Sequence, residues 1–380
     1  MTRTLHTDKI KLEKYALVLR SLQHDLSDAA AKSNESVKLN ITDLKELDYH
    51  GITALICHRQ LPSHVRISDE LKSTLKKRTP LMVANESLRN RELEVLFSAL
   101  DRAKLTNFIV FKGGALAHTI YEHSWDRART DTDILIDQAE LTLFSAVVEK
   151  LGYSRLFAIK GNYVSYQCTF GKNLIGSATI NIDVHWRISN RQTLANAYSL
   201  ADLTLEGQQL TNFLTNPIIP SFVDSLLIAC LHRLGHHHTE ERLTWLYDIH
   251  LLSAKLNPED WKVFVRKAQL KQLTSISLNA LDTAISYFST SIPHQVLEEL
   301  NINAAKYEPS RIFLNRKASA LSLFISDVKA VKGLNGKLGF IFETFFPSPD
   351  YVRKKMRTKS TVKAYGLRAT QGIKRWFSTH

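Results

Sequence analysis

The sequence predicts an α+β protein, a small mixed β-sheet core flanked by helical regions on its N-terminal and C-terminal sides. Three observations predict it. Apolar residues recur at helical spacing up to about Pro80 and again beyond Pro220. Between Phe108 and Ile188 the period shortens to that of strands, and a glycine turn separates the first of those strands from the helix after it. With 380 residues, 44% of them hydrophobic, the chain exceeds the roughly 250 to 300 residues at which one core stops growing. Four regions are expected: helical over 1–84, sheet-bearing over 85–200, helical again over 201–346, and a basic tail over 347–380.

In the first region Leu12, Tyr15, Ala16 and Leu19, and later Leu44, Leu47 and Leu55, mark helices. Asn85 is the expected cap of a helix whose stripe is Leu88, Val95, Leu96, Ala99, Leu100 and Ala103. Residues 108–111 then read as a strand that stops at Lys112-Gly113-Gly114, with a helix over 115–121. Residues 132–136 form a second strand, and Phe144, Val147, Val148 and Leu151, closed by Gly152, a second helix. Two more strands follow, over about 163–170 and 180–188. In the latter, Ile180, Ile182, Val184, Trp186 and Ile188 point one way and Asn181, Asp183, His185 and Arg187 the other, since strand side chains alternate. Helices are expected over 222–234, 242–256 and 259–270, with further segments to about Phe346. No internal repeat is visible.

The net charge of +13 is localised. Nine basic residues and no acidic one follow Asp350, so subtracting nine leaves +4 for the first 350 residues. A general nucleic-acid-binding surface is therefore not expected, and no specific nucleic-acid partner is predicted. The tail reads either as a solvated end or, because Tyr351, Tyr365, Trp376 and Phe377 interleave with its cations, as a peripheral contact with anionic membrane. Three cysteines far apart, Cys57, Cys168 and Cys230, argue against a disulfide framework. The first thirty residues lack an apolar signal-peptide core, and no run approaches the roughly 20 apolar residues of a membrane span. The expected location is cytoplasmic, with peripheral contact at the inner face of the membrane if the tail makes one.

The chemistry concentrates at three acidic positions. Asp131 and Asp133, one residue apart on a strand, place two carboxylates on one face about 6.5 to 7 Å apart along the backbone. Asp183 adds a third from another strand. Such carboxylates repel one another unless cations neutralise them, and Mg²⁺ (or Mn²⁺) pairs are the usual partners in phosphoryl and nucleotidyl transfer. At Gly113-Gly114 the missing Cβ atoms allow a phosphate chain to lie on backbone N–H groups. Lys112 and Arg127, beside the turn and just before Asp131, are candidate triphosphate contacts. His185 and Arg187 share the face of Asp183 and are expected to touch substrate or orient that carboxylate. Asp133→Asn is expected to abolish turnover yet leave the thermal midpoint unchanged or raised, through relief of repulsion.

Phe111-Lys112-Gly113-Gly114, then Arg127, then Asp131-Thr132-Asp133, then Ile182-Asp183-Val184-His185-Trp186, and finally Trp245-Leu246-Tyr247-Asp248 together resemble the uncharacterised bacterial nucleotidyltransferase family of the polymerase-β-like superfamily. The resemblance runs from about Leu81 to Leu256. It implies that Asp131, Asp133 and Asp183 ligate metal, that Asp183 also helps deprotonate the attacking hydroxyl, and that Gly113 and Gly114 cradle phosphate. It further implies transfer of an NMP group from an NTP to a hydroxyl or phosphate acceptor. By analogy that acceptor is a sugar or lipid-linked saccharide of surface-polysaccharide metabolism. Where superfamily members often carry Ser second in the glycine pair, this chain has Gly114.

Two other classes stay open on the sequence. One is a nucleotide-binding module whose catalytic site has decayed. The other is a metal-dependent phosphohydrolase built on His232, His236, His237, His238, Asp248 and His250, since His232 and His236 are four apart on a helix. The cluster holds no His-Asp doublet, and the chain has no His-Glu-x-x-His motif, so those histidines read better as a helix end. Asp248 is expected to pair with Arg242 or another helix-face cation.

Overall fold

The computed structural model describes residues 2–22, 36–158, 161–174, 179–235, 240–304 and 307–377. An N-terminal helix, Thr2–Ser21, precedes a two-stranded parallel sheet of β1 (Val37–Leu39) and β2 (Val65–Ile67), which helical spacing alone did not reveal. A 34-residue helix then spans Asp69–Arg102. Its cap is Ser68, whose hydroxyl accepts from the Leu71 N–H, and it passes through both Pro80 and Asn85. Asn85 is thus mid-helix rather than a cap, and one element crosses the boundary expected at 84/85. Of the expected stripe Leu96 and Leu100 are buried while Val95 is exposed, because the buried face runs through Leu93, Leu96, Phe97 and Leu100.

The main sheet has seven strands: β3 (Ile109–Phe111), β4 (Asp131–Leu135), β5 (Ser154–Ala158), β6 (Gln167–Asn173), β7 (Thr179–His185), β8 (Gln208–Gln209) and β9 (Ile218–Ile219). Their order is β5-β6-β7-β4-β3-β9-β8. The sheet is mixed, with β4 parallel to β7 and antiparallel to β3. The two expected strands over 163–170 and 180–188 become β6 and β7 with shifted ends, and β5, β8 and β9 were not foreseen. The last two are only two residues long, too short for a period to show.

One face of the sheet presents Val110, Ile134, Phe170, Ile180, Ile182 and Val184 to the long helix and to Phe144 and Val148 of the helix Leu141–Lys150. For Ile180, Ile182 and Val184 that burial is the alternation read in the sequence, but the strand ends at His185 and Ile188 packs in the other core. The opposite face carries the acidic residues towards a helical body made of Phe222–Gly235, Leu243–Ser253, Pro258–Leu270 and Thr274–Phe288. The N-terminal helix docks on the same body, where the Arg20 guanidinium donates to the Tyr287 carbonyl at 2.6 Å.

The basic tail is not a loose solvated end. It forms the helices Pro349–Lys355 and Thr361–Phe377, and Val352 and Ala364 are completely buried. Arg368 donates to the Thr344 carbonyl at 2.8 Å, and Tyr365 donates to that of Pro347. The side chains of Trp376 and Phe377 lie outside the described residues. Among the described residues no helix is long and apolar enough to cross a membrane.

The helical body holds His250 where charging it is costly. Burial lowers its pKa from 6.5 to about 4, and its Nδ1 lies 2.9 Å from Thr290 Oγ1. An unfolded histidine takes its proton near pH 6.5. The folded state therefore binds fewer protons between pH 6.5 and 4, and stability is full above that window and falls as pH drops through it. Urea titrations of His250→Gln should show a smaller loss between pH 7 and pH 5 than the parent, by about 2 kcal/mol.

Candidate active site

The register of two strands assembles the acidic centre. On β4 and β7, Asp133 stands directly opposite Asp183, and Asp131 opposite Asn181. Asp133 is 8% exposed. Its Oδ1 accepts from Lys112 Nζ at 2.7 Å and lies 2.8 Å from His185 Nε2. Burial works against the charge of Asp133, but Lys112 and His185 hold its carboxyl well below the usual carboxylate range. Burial, and then the Lys112 ammonium, lower the pKa of His185, so the ring is neutral and donates its Nε2–H to Asp133. Both bonds land on Oδ1, which leaves Oδ2 as the oxygen for a cation.

Asp131 has the opposite fate. Burial, together with the charges of Asp133 and Asp183, pushes its pKa up to about 6 against the pull of Lys112 and Arg127. That imbalance marks a surplus of negative charge at one spot. Asp133, Asp183 and His185 bring one ligand atom each to within 4.8 Å of one another, the one such metal-competent group among the described residues. A set rich in carboxylate oxygen suits a hard divalent cation. The carboxylates of Asp133 and Asp183 therefore fit a hard divalent cation such as Mg²⁺ or Mn²⁺, while Asp131, two residues from Asp133 on β4, is not in that group.

Asp183 is oriented by residues that escaped notice in the sequence. Thr169, its register partner on β6, donates to Oδ1 at 2.6 Å, and Gln167 Nε2 approaches Oδ2 at 3.5 Å. The signal was present in the alternation of β6, where Cys168 and Phe170 are buried and Gln167 and Thr169 take the other face. Expected partners also change. His185 serves Asp133 rather than Asp183, because it lies two residues along β7, level with Leu135. Arg187 leaves the sheet face, stacking its guanidinium 4.8 Å from the Tyr166 ring centre.

The glycine pair divides its work. Lys112 opens the five-residue helix Lys112–Leu116 with φ of +52°, a left-handed conformation that costs a residue bearing Cβ roughly 1 to 3 kcal/mol. The turn aims the lysine at Asp133. Gly113 faces the cleft, where an added Cβ would meet only the Arg127 guanidinium at 3.6 Å. Gly114 instead packs inward, and a Cβ there would come within 3.1 Å of Thr132 and 3.3 Å of Val110. Its smallness thus lets the helix approach the sheet, a different service from the phosphate cradle expected of it.

Arg127 is not a free cation. Its Nε and Nη2 grip Asp248 Oδ1 and Oδ2 at 2.8 and 2.7 Å, and Nη1 donates to the Ala128 carbonyl. Burial disfavours its charge, but Asp248 overcomes this and raises the guanidinium pKa. Tyr121 completes the clamp, donating to Asp248 Oδ1 at 2.7 Å. Asp248 thus pairs with Arg127 and not with Arg242, whose guanidinium lies against the rings of Tyr49 and Trp245. Of the histidine cluster, His232 lines the cleft, while His236, His237 and His238 lie outside the described residues.

The acidic centre opens on one cleft of about 1090 Å³. Its lining includes Lys112, Gly113, Asp131, Asp133 and Asp183, and, from elsewhere in the chain, Arg191, Asp327, Phe324 and Phe340. Small-molecule sites span roughly 300 to 1,000 Å³, so this cleft is as large as the roomiest of them.

Residues 44–289 match the family described as uncharacterised nucleotidyltransferase, and the chain belongs to that family. No match was found among curated proteins. Membership makes the protein a transferase of the nucleotidyl class, with an NTP as the general donor.

Charge distribution at the site revises the stability expected of its variants. Asp133 is the satisfied carboxylate and Asp131 the frustrated one. The raised pKa of Asp131 means the folded state gains a proton preference that is lost above about pH 6, so its ionised form destabilises at neutral pH. Asp131→Asn should therefore raise stability at pH 8 by about 1 to 3 kcal/mol in denaturant titrations. Asp133→Asn should lower it by a similar amount, leaving the Lys112 ammonium without its partner.

Proposed function

We propose that the protein catalyses Mg²⁺-dependent transfer of an NMP group from an NTP to a hydroxyl or phosphate acceptor. The observation that carries this reading is the placement of Asp133 opposite Asp183 on adjacent parallel strands, with Asp131 two residues away and frustrated in its ionisation. Bound there, Mg²⁺ or Mn²⁺ would supply charge neutralisation at the α-phosphate and a lowered pKa for the attacking hydroxyl. Asp131, Asp133 and Asp183 would hold it.

The chain's own groups do the remainder. Lys112 and the Gly113 backbone receive the triphosphate, the lysine exchanging part of its bond to Asp133 for phosphate oxygens. Asp183, held by Thr169 and Gln167, takes the proton of an acceptor hydroxyl as its oxygen bonds to the α-phosphorus. The bond from that phosphorus to the β-phosphate oxygen breaks, and pyrophosphate departs. Arg127 acts through position, since its clamp on Asp248 fixes the segment that leads into β4. The acceptor lies toward Asn190 and Arg191, reached from Asp183 through Gln167, to which Asn190 donates at 3.0 Å. The apolar Leu323, Phe324 and Phe340 in the same cleft suit a partly apolar acceptor and are compatible with a lipid-linked saccharide.

The test is a screen of the four NTPs with Mg²⁺ or Mn²⁺, reading pyrophosphate release and any labelled acceptor or self-modification. Asp133→Asn and Asp183→Asn should each reduce turnover at least a hundredfold, and EDTA should abolish it. Nucleotide binding without turnover under every condition would favour the decayed binding module. Turnover lost with His232→Ala but kept in both aspartate variants would favour hydrolysis at the histidine cluster.

A further inference from the structure

The C-terminal helices expose an apolar surface that the catalytic reading leaves unused, and it lies wholly beyond residues 44–289. The helix Leu334–Phe345 turns Gly339 and Phe340 inward, and Glu343 accepts from the backbone N–H groups of Asn162 and Tyr163, each at 2.8 Å. Its other face is bare. Leu334, Leu338 and Phe342, each four residues apart, are 73%, 56% and 63% exposed, and Phe346 is 59% exposed. The patch is continuous with the last helix: the Phe342 and Phe346 rings are 5.3 Å apart, and Phe346 reaches Tyr365 at 6.4 Å. One turn before Tyr365, Val362 is 85% exposed. Single exposed apolar residues are ordinary; a contiguous stripe of large ones marks a binding face.

Charge selects the occupant. Lys354, Lys355, Arg357, Lys359 and Lys363 are all exposed on the adjoining segment. Between Leu321 and Phe377 the carboxylates are Asp327, Glu343 and Asp350, and each is engaged internally. Asp327 pairs with Arg191, Glu343 caps the backbone, and Asp350 pairs with Arg353. A second copy of the same face would bring like charges together. Nucleic acid would leave the large apolar side chains in water. An anionic bilayer satisfies both, with apolar groups at the acyl boundary and cations among the headgroups.

We infer that the helices Leu334–Phe345 and Thr361–Phe377 form a docking surface for anionic phospholipid membrane. The surface holds the protein by burial of the Leu334–Leu338–Phe342–Phe346 stripe and by attraction of the tail cations. This inference does not depend on the nucleotidyl reaction.

Flotation of the full chain with vesicles of phosphatidylglycerol and phosphatidylcholine, against phosphatidylcholine alone, tests it. Binding should be at least tenfold stronger to the anionic vesicles and should weaken as salt rises, because each cation near such a surface contributes about fivefold. The double variant Leu338→Asp/Phe342→Asp should lose at least tenfold, and Lys355→Glu/Lys363→Glu should lose more at low salt than at high. All four positions are exposed or at the surface, so circular dichroism should show an unchanged fold. Should the apolar double variant unfold, the charge-reversal pair decides alone. Equal binding by parent and variants, binding indifferent to lipid charge, or a dimer that the apolar variant dissociates while vesicles go unbound would each overturn the inference.

Discussion

Asp131, Asp133 and Asp183 crowd two neighbouring strands, and most of the surroundings of β4 and β7 answer the repulsion between them. Parallel pairing places Asp133 beside Asp183 with no freedom to move apart. The chain resolves half of the conflict itself by giving Asp133 a lysine and a neutral histidine. It leaves Asp131 unresolved, its proton held up to about pH 6 by burial and then by its acidic neighbours. A folded protein that keeps such a surplus on a cleft wall has forgone stability at that spot, which is common where charge is reserved for a ligand. A divalent cation bound there would relieve the same surplus.

Holding this arrangement requires rigid walls. Arg127 and Tyr121 both close on Asp248, which sits 121 residues after Arg127 on the helix Leu243–Ser253. This buried, bidentate pair fastens the helical body to the segment that enters β4, and losing one partner of such a pair typically costs about 3 to 5 kcal/mol. The position of the acidic strand and the packing of the helical body therefore depend on the same interaction. Gly114 contributes the other constraint, since a Cβ there would crowd Thr132 and Val110 where the Lys112–Leu116 helix packs on the sheet and its lysine reaches Asp133.

Much of this was legible in the residue order. Alternation along residues 180–188 separated the buried Ile182 and Val184 from Asp183, and the Asp-x-Asp spacing put Asp131 and Asp133 on one face. The glycine turn was likewise visible, as was part of the long stripe through Leu96 and Leu100, though its helix begins at Asp69 behind a plain serine cap, Ser68. What escaped was non-local. Whether Arg127 meets phosphate or Asp248, and whether His185 turns to Asp133 or Asp183, depends on the register between distant segments, which no local spacing encodes. Strands of two residues, and the docking of the basic tail through Val352 and Ala364, depend on tertiary contacts in the same way.

The central claim is that Asp131, Asp133 and Asp183 form a divalent-cation site fed by the cleft. A crystal structure grown with Mn²⁺ and a non-hydrolysable NTP analogue, examined by anomalous scattering, tests it most directly. The account predicts a Mn²⁺ peak at coordination distance from carboxylate oxygens of both β4 and β7, with the triphosphate beside Lys112 and Gly113. Metal bound instead at His232 or elsewhere, with Lys112 still closed on Asp133 and no cation between the strands, would contradict it.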